Sequence, residues 1–270
     1  MRHPTVQELF DLSGRTALVT GGARNLGFDM ALALAEAGAD VAVTSRNLES
    51  ARASAERIAA ATGRRALALE LDVTSEEQAA AAVEEALRQF GKLDILVNNA
   101  GNVSSTPENA PLEKRPLQEW MNTVQVNLTG TFLVSKHAAA KAMIPARSGN
   151  IINIASISGM IGRDRRVYAG TDMGGSTVDY AAAKGGVINL TRDMAAWLAR
   201  YNIRVNCISP GGFWRNQPEP FVKAYSDATP MGRMGQDGRE MKGPVVFLAS
   251  EASSYCTGIN LVVDGGFTCW

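Results

Sequence analysis

The chain alternates short β-branched runs with long alanine-rich stretches from end to end, and no other property limits its fold so tightly. TALVT (16–20), DVAVTS (40–45), ALALELD (66–72), DILVNN (94–99), NIINIA (150–155), IRVNCIS (203–209) and INLVVD (259–264) have strand character. Stretches 26–37, 47–61, 75–90, 117–144, 179–200 and 238–250 read as helices. Several strand runs are apolar almost throughout, the pattern of a sheet covered on both faces. The alternation predicts an α/β fold, a doubly wound parallel sheet of about seven strands with right-handed crossovers and helices on both faces.

No repeat, low-complexity tract or linker interrupts this pattern, so residues 1–270 are expected to form a single domain. With 46% hydrophobic and 20% charged residues the chain can bury a substantial core. Lys plus Arg and Asp plus Glu both total 27, which leaves no electrostatic case for nucleic acid or an anionic membrane surface. The first residues lack a signal-like apolar segment, and no later run is long enough to span a bilayer. Three scattered cysteines fit neither a disulfide framework nor a metal cluster, and a cytoplasmic setting is the simplest reading. His3 and His137 have no partner pattern around them and are read as surface or packing residues.

Tyr180 and Lys184, in VDYAAAKGG, are the pair that carries chemistry. Four residues apart on a helix, they project from one face. A phenol has an ordinary pKa of about 10 and is a poor proton shuttle near neutrality. A neighbouring ammonium is expected to stabilise the phenolate and lower that value. Such a pair occurs often by chance on helix surfaces; its surroundings give it weight. TGGARNLG (20–27) follows an apolar strand, NNAG (98–101) ends another, and Asn127, Ser156 and PGG (210–212) complete the order.

By these motifs the chain resembles the short-chain dehydrogenase/reductase family of single-domain type, over about Leu12 to Gly266. The resemblance implies a Rossmann-type fold, a nicotinamide cofactor, a small-molecule substrate and a homotetramer. The turn through Gly21, Gly22 and Ala23 into a helix near Leu26 would face backbone amides to a pyrophosphate. It resembles the family's T-G-x-x-x-G-x-G, ending on Gly27, with Asn25 in place of the middle glycine. Asn is the next-best residue for positive φ, so the turn is expected to survive.

The second strand ends Thr44-Ser45-Arg46 with no acid to hold a ribose 2′-hydroxyl, and Arg24 adds a cation in the glycine turn. Two guanidinium groups and a hydroxyl suit a 2′-phosphate, which predicts NADP over NAD; the plainer reading is two solvated arginines. The resemblance assigns Asp72 and Val73 to the adenine, and Asn99, Ala100 and Gly101 to the ribose and nicotinamide side. Pro210, Gly211 and Phe213 complete the implied cofactor set. Asp72 could instead cap a helix, although Thr74 or Ser75 suits that role better. By the same resemblance, Tyr180 exchanges a proton with the substrate oxygen and Lys184 holds the ribose. Ser156 binds the substrate oxygen, and Asn127 holds a relay water. Ser158 rivals Ser156, but the motif's glycine three residues on is Gly159. A serine hydrolase would need a G-x-S-x-G elbow and a base, both missing around Ser156.

Two departures bear on substrate. The stretch 157–179 is about twice the roughly one dozen residues usual between this serine and tyrosine. Its excess, GRDRRVYAGTDMGGSTVD, should form a loop at the substrate mouth, or else a solvated or subunit-contact decoration. Tyr168 lies nearer the usual distance, but position 172 is Asp, so Tyr180 keeps the assignment. Where many relatives carry Thr five residues after the PG proline, this chain has Arg215. Arg215, Arg163, Arg165 and Arg166 are candidates to meet a substrate anion. Segment 212–230, with Phe213, Trp214, Phe221 and Tyr225, is expected to form a lid whose aromatics stack on a sugar or simply pack. The flanks LFDLSGRTALVTGG and TGINLVVDGGFTCW resemble gluconate 5-dehydrogenase-like members, which implies a sugar acid or polyol. A 3-oxoacyl thioester reductase and a non-catalytic nucleotide sensor are the alternatives.

Overall fold

A computed structural model describes residues 3–102 and 111–270. In chain order the regular elements begin with α1 (Val6–Phe10), β1 (Thr16–Val19), α2 (Asn25–Glu36), β2 (Asp40–Ser45), α3 (Leu48–Thr62), β3 (Ala66–Glu70), α4 (Glu76–Phe90) and β4 (Ile95–Asn98). They continue with α5 (Leu117–Val124), α6 (Gly130–Ala138), α7 (Ile144–Ala146), β5 (Gly149–Ile154), α8 (Val178–Leu198) and β6 (Ile203–Pro210). Last come β7 (Phe213–Trp214), α9 (Glu219–Asp227), β8 (Gly235–Gln236), α10 (Lys242–Ala249) and β9 (Asn260–Val263).

Seven strands form one parallel sheet in the order β3-β2-β1-β4-β5-β6-β9. The order reverses between β1 and β4, and there the carboxyl ends open a crevice for ligands. One face carries α2, α3 and α10 through Met30, Leu34, Ile58, Val245 and Leu248. The other carries α4, α6 and α8 through Val83, Ala86, Leu133, Val134 and Leu198. Burial on both faces explains why the strand runs are apolar almost throughout. Helix ends follow local chemistry: Asn47 and Ser75 accept from Ser50 N and Gln78 N, while Gly63 and Gly91 close α3 and α4 in the left-handed region.

The helix expected at 117–144 divides at two π turns, Gln125–Thr129 and Ala139–Met143. A π turn adds a residue to the ladder and re-aims side chains, and the first holds Asn127. The helix expected at 238–250 begins only at Lys242, because Gly235–Gln236 are drawn into a small parallel pairing with Phe213–Trp214.

Candidate active site

The crevice at the β1–β4 reversal is a cleft of about 660 Å³. Gly21, Arg24, Asn25, Leu26, Gly27, Ser45, Arg46, Asp72, Val73, Asn99, Ala100, Gly101, Asn127, Tyr180, Lys184 and Pro210 line it. Asn25 adopts φ 51°, the left-handed conformation foreseen for it. A Cβ on Gly27 would overlap Gly21 O and Asn99 Nδ2, so only glycine lets α2 start this close to the turn. The Asn99 amide donates to Thr20 O (3.0 Å) and Gly21 O (3.1 Å), and Thr20 Oγ1 accepts from Asn99 N and Ala100 N. Asn99 thus fixes the turn, and its side chain is engaged there. Ser75 caps α4, while Asp72 Oδ1 accepts from Thr74 N and Oγ1. Partial burial works against the charged Asp72, but the Thr74 bonds and Arg46 outweigh it and hold its pKa below the ordinary range.

A second pocket of about 480 Å³ adjoins the cleft, and Tyr180 and Arg215 line both. Its walls include Ser156, Ser158, Arg163, Asp172, Ser176, Gly211, Phe213, Gln217 and Phe221. Ser156 opens a 3-10 turn, Ile157–Gly159, and its Oγ accepts from Ser158 N at 3.1 Å while reaching the Tyr180 hydroxyl. Ser158 instead meets Ser176, Oγ to Oγ at 3.3 Å. A Cβ on Gly159 would lie 2.5 Å from Gly185 N and from Lys184 C, so this glycine lets the Ser156 turn press against α8 at the lysine. Lys184 is buried, with Nζ donating to Ile154 O at 2.7 Å. Asn127 is fully buried and donates to Thr123 O and Asn102 O, both at 2.9 Å. Its Oδ1 has no partner among the described residues. A Cβ on Gly101 would lie 2.7 Å from that oxygen and 3.5 Å from Lys184 Nζ, so the two groups face one space.

Comparison with known proteins decides the family. A family model described as enoyl-(acyl carrier protein) reductase matches residues 21–268. The chain is 37% identical over 267 residues to 5-keto-D-gluconate 5-reductase of Escherichia coli, covering 97% of this chain and 98% of that one. It is 36% identical over 259 residues to a 3-oxoacyl-[acyl-carrier-protein] reductase of Chlamydia trachomatis, covering 94% and 98%. The solved gluconate 5-dehydrogenase of Burkholderia cenocepacia, in complex with NADP and tartrate, superposes with TM-score 0.88 at 37% identity, covering 98% of this chain and all of that one.

The chain belongs to the short-chain dehydrogenase/reductase family. It is an NAD(P)-dependent oxidoreductase acting on CH–OH groups. The cleft of this dehydrogenase/reductase suits a dinucleotide on its own terms. Gly27 makes room at a helix N-terminus, Arg24 of the glycine turn and Arg46 after β2 line the same cleft, and the Asn127 oxygen that has no partner among the described residues lies beside Lys184.

Electrostatics in this dehydrogenase/reductase correct one expectation. Tyr180 is half-buried between the two hollows, and this burial raises its pKa above the ordinary value; Ser156 and the Arg163 charge only partly oppose this. Lys184, 5.7 Å from the ring centroid, is itself lowered to about 8 by burial. The pair therefore rests as a neutral phenol beside a weakened ammonium, because desolvation is the leading influence on both.

The arginines also separate. Arg215 forms a two-point pair with Asp237, Nε to Oδ2 at 2.6 Å and Nη2 to Oδ1 at 2.9 Å. Arg166 pairs with Asp164 on the surface, and Arg165 Nη1 donates to Ser176 O at 3.0 Å. Insertion 157–179 of this dehydrogenase/reductase packs on segment 212–230: Tyr168 stacks on Phe221 (5.3 Å, 18°), and Tyr225 on Phe267 (4.6 Å, 20°). Phe221 and Tyr225 are buried in that cluster, so those two lid aromatics pack together, and Trp214 stays exposed.

One feature beside the site carried no signal in the chain. Arg115, 3% exposed, grips the fully buried Asp179 with Nη2–Oδ2 at 2.6 Å and Nε–Oδ1 at 3.1 Å. Desolvation opposes ionised Asp179, but Arg115, Thr123 and Thr177 outweigh it and lower its pKa. This pair ties the approach to α5 to the residue before Tyr180. The partners lie 64 residues apart, and although Asp179 adjoins Tyr180 in VDYAAAKGG, nothing in the sequence pairs it with Arg115.

Proposed function

We propose that this chain is an NADP(H)-dependent reductase or dehydrogenase interconverting a ketone and a secondary alcohol on a sugar acid or polyol. The observation that carries the reading is Tyr180, whose phenol borders both the cleft and a pocket where hydroxyls, an amide and charged groups alternate with apolar side chains. Tyr180 gives a proton to the carbonyl oxygen in reduction and takes it back in oxidation. Its raised pKa keeps it in the donating form at neutral pH. Ser156 donates to the same oxygen and orients it. Lys184 turns its remaining ammonium protons to the ribose, and with Asn127 returns a proton from solvent to Tyr180. When bound, NADPH would supply the hydride from nicotinamide C4 in reduction, and NADP+ would accept it there in oxidation. Arg24, Ser45 and Arg46 hold its 2′-phosphate, and Asp72 and Val73 its adenine.

The pocket wall mixes Ser156, Ser158, Ser176, Gln217, Arg163 and Asp172 with Ile157, Met173, Phe213, Phe221 and Met234, and the likeness to 5-keto-D-gluconate 5-reductase supports a polyhydroxylated substrate over an acyl thioester. The likeness to an acyl-carrier-protein reductase keeps the thioester as the second reading. NADPH oxidation against 5-keto-D-gluconate and an acetoacetyl thioester separates them. The first substrate should turn over faster, and thioester turnover alone would reverse the assignment. A homotetramer, as the family resemblance implies, should be seen by sedimentation.

A further inference from the structure

We propose that Arg163 is the specificity-determining cation of the substrate pocket and that it grips a carboxylate of the substrate. The inference rests on the sugar-acid reading above and names the residue that would enforce it. Four arginines flank the pocket mouth, and their partners differ. Arg215 is committed to Asp237, Arg166 to Asp164, and Arg165 reaches a backbone carbonyl from an exposed position. Arg163 lines the pocket, is half-buried, and makes no ion pair among the described residues.

Its guanidinium is nevertheless held in place. Nε donates to Tyr168 Oη at 3.0 Å, and the carbon at its centre lies 5.7, 5.3 and 5.5 Å from the ring centroids of Tyr168, Tyr225 and Phe267. Aromatic faces hold a cation without neutralising it, so the charge remains available to a ligand. Tyr225 is fixed in turn: it is buried, and its hydroxyl accepts from Gly212 N. The cradle thus joins the insertion, α9 and the C-terminal segment. The Arg163 side chain also meets the Tyr225 hydroxyl, so two phenols hold the guanidinium, and neither carries a negative charge that would neutralise it before a carboxylate arrives. Arg163 also lies close enough to Tyr180 to act on it electrostatically, so one substrate can meet both, its carbonyl at Tyr180 and its carboxylate, a few bonds along the chain, at Arg163. Asp172 shares the pocket wall and is exposed. As an acceptor it suits sugar hydroxyls and turns an anion toward Arg163.

The test compares 5-keto-D-gluconate with L-sorbose, the ketohexose bearing a hydroxymethyl group where the former has its carboxylate. Arg163→Gln should lower kcat/KM for the acid by about 10–100-fold, mainly through KM, the loss typical of a charge-assisted hydrogen bond. L-Sorbose should stay within about twofold, and Arg163→Lys should fall between the two, since it keeps the charge and loses the fork. Thermal protection by D-gluconate should weaken in Arg163→Gln while protection by NADP does not, a readout independent of turnover. Equal losses on acid and ketose, or unchanged gluconate protection, would overturn the Arg163 proposal alone. A wild type that reduces only the thioester would overturn the sugar-acid reading and this inference with it.

Discussion

The two hollows that meet at Tyr180 are built differently. The dinucleotide cleft is made of strand ends, backbone amides and glycines too crowded to change: Gly27 admits no Cβ against Gly21 O and Asn99 Nδ2. The substrate pocket is made of side chains on short 3-10 turns and on α9, held by an aromatic column running Tyr168, Phe221, Tyr225, Phe267. A cleft set by backbone serves any substrate, whereas a pocket set by side chains on inserted turns can be rewritten one residue at a time. Substitutions in the cleft should therefore act on every substrate alike, and those in the pocket should act on one substrate against another.

The largest effect belongs to the residue shared by both. Tyr180→Phe should lower kcat for every substrate by about 10²–10⁴-fold, the usual worth of a positioned proton donor, with NADP binding kept. Retained turnover, measured as NADPH oxidation, would move the proton donor elsewhere. Next, Asp179→Ala leaves Arg115 charged and buried, and urea unfolding should report a loss of about 3–5 kcal/mol. Replacing both partners with apolar residues should recover much of that loss. A single substitution costing under about 1 kcal/mol would mean the pair does not anchor α8.

Lys184 gives a signed test on the cleft side. Its folded pKa of about 8 lies below the ordinary 10.5, so burying its charge costs stability. Below pH 8 the cost is complete. Between about 8 and 10.5 the unfolded chain holds a proton that the folded one has released, so stability rises with pH across that window. Lys184→Met should stabilise the cofactor-free protein by about 1–3 kcal/mol near neutrality, abolish that rise and remove activity. A destabilised variant would show that Lys184 Nζ is compensated beyond its bond to Ile154 O. The smallest expected effect is also the most selective: Arg46→Ala should raise KM for NADPH by about 10-fold and leave NADH nearly unchanged. Equal changes would return Arg46 to the solvated surface.

Much of the fold was legible because periodicity reports burial, and a sheet covered on both faces writes apolar runs into several of its seven strands. The residues chosen for the reaction centre lie together because Ser156 follows the end of β5, Tyr180 and Lys184 share α8, and the π turn between α5 and α6 brings Asn127 to them. What escaped depends on contacts between distant segments. The π turn under Asn127 looks like ordinary helix in sequence. Nothing in the sequence joins Arg115 to Asp179, 64 residues away. The direction of the Tyr180 shift depends on how deeply its hydroxyl is enclosed, and spacing on a helix reports neighbours without reporting depth. The four arginines near the mouth were equivalent until their partners were seen, and only then did Arg215 become a structural ion pair and Arg163 the unneutralised cation.

The most direct test of the central claim is steady-state NADPH oxidation with 5-keto-D-gluconate, run beside NADH and beside an acetoacetyl thioester. The structure predicts faster turnover of the keto acid, a preference for NADPH, and loss of both in Tyr180→Phe. Turnover confined to the thioester, or survival of activity in Tyr180→Phe, would contradict the account.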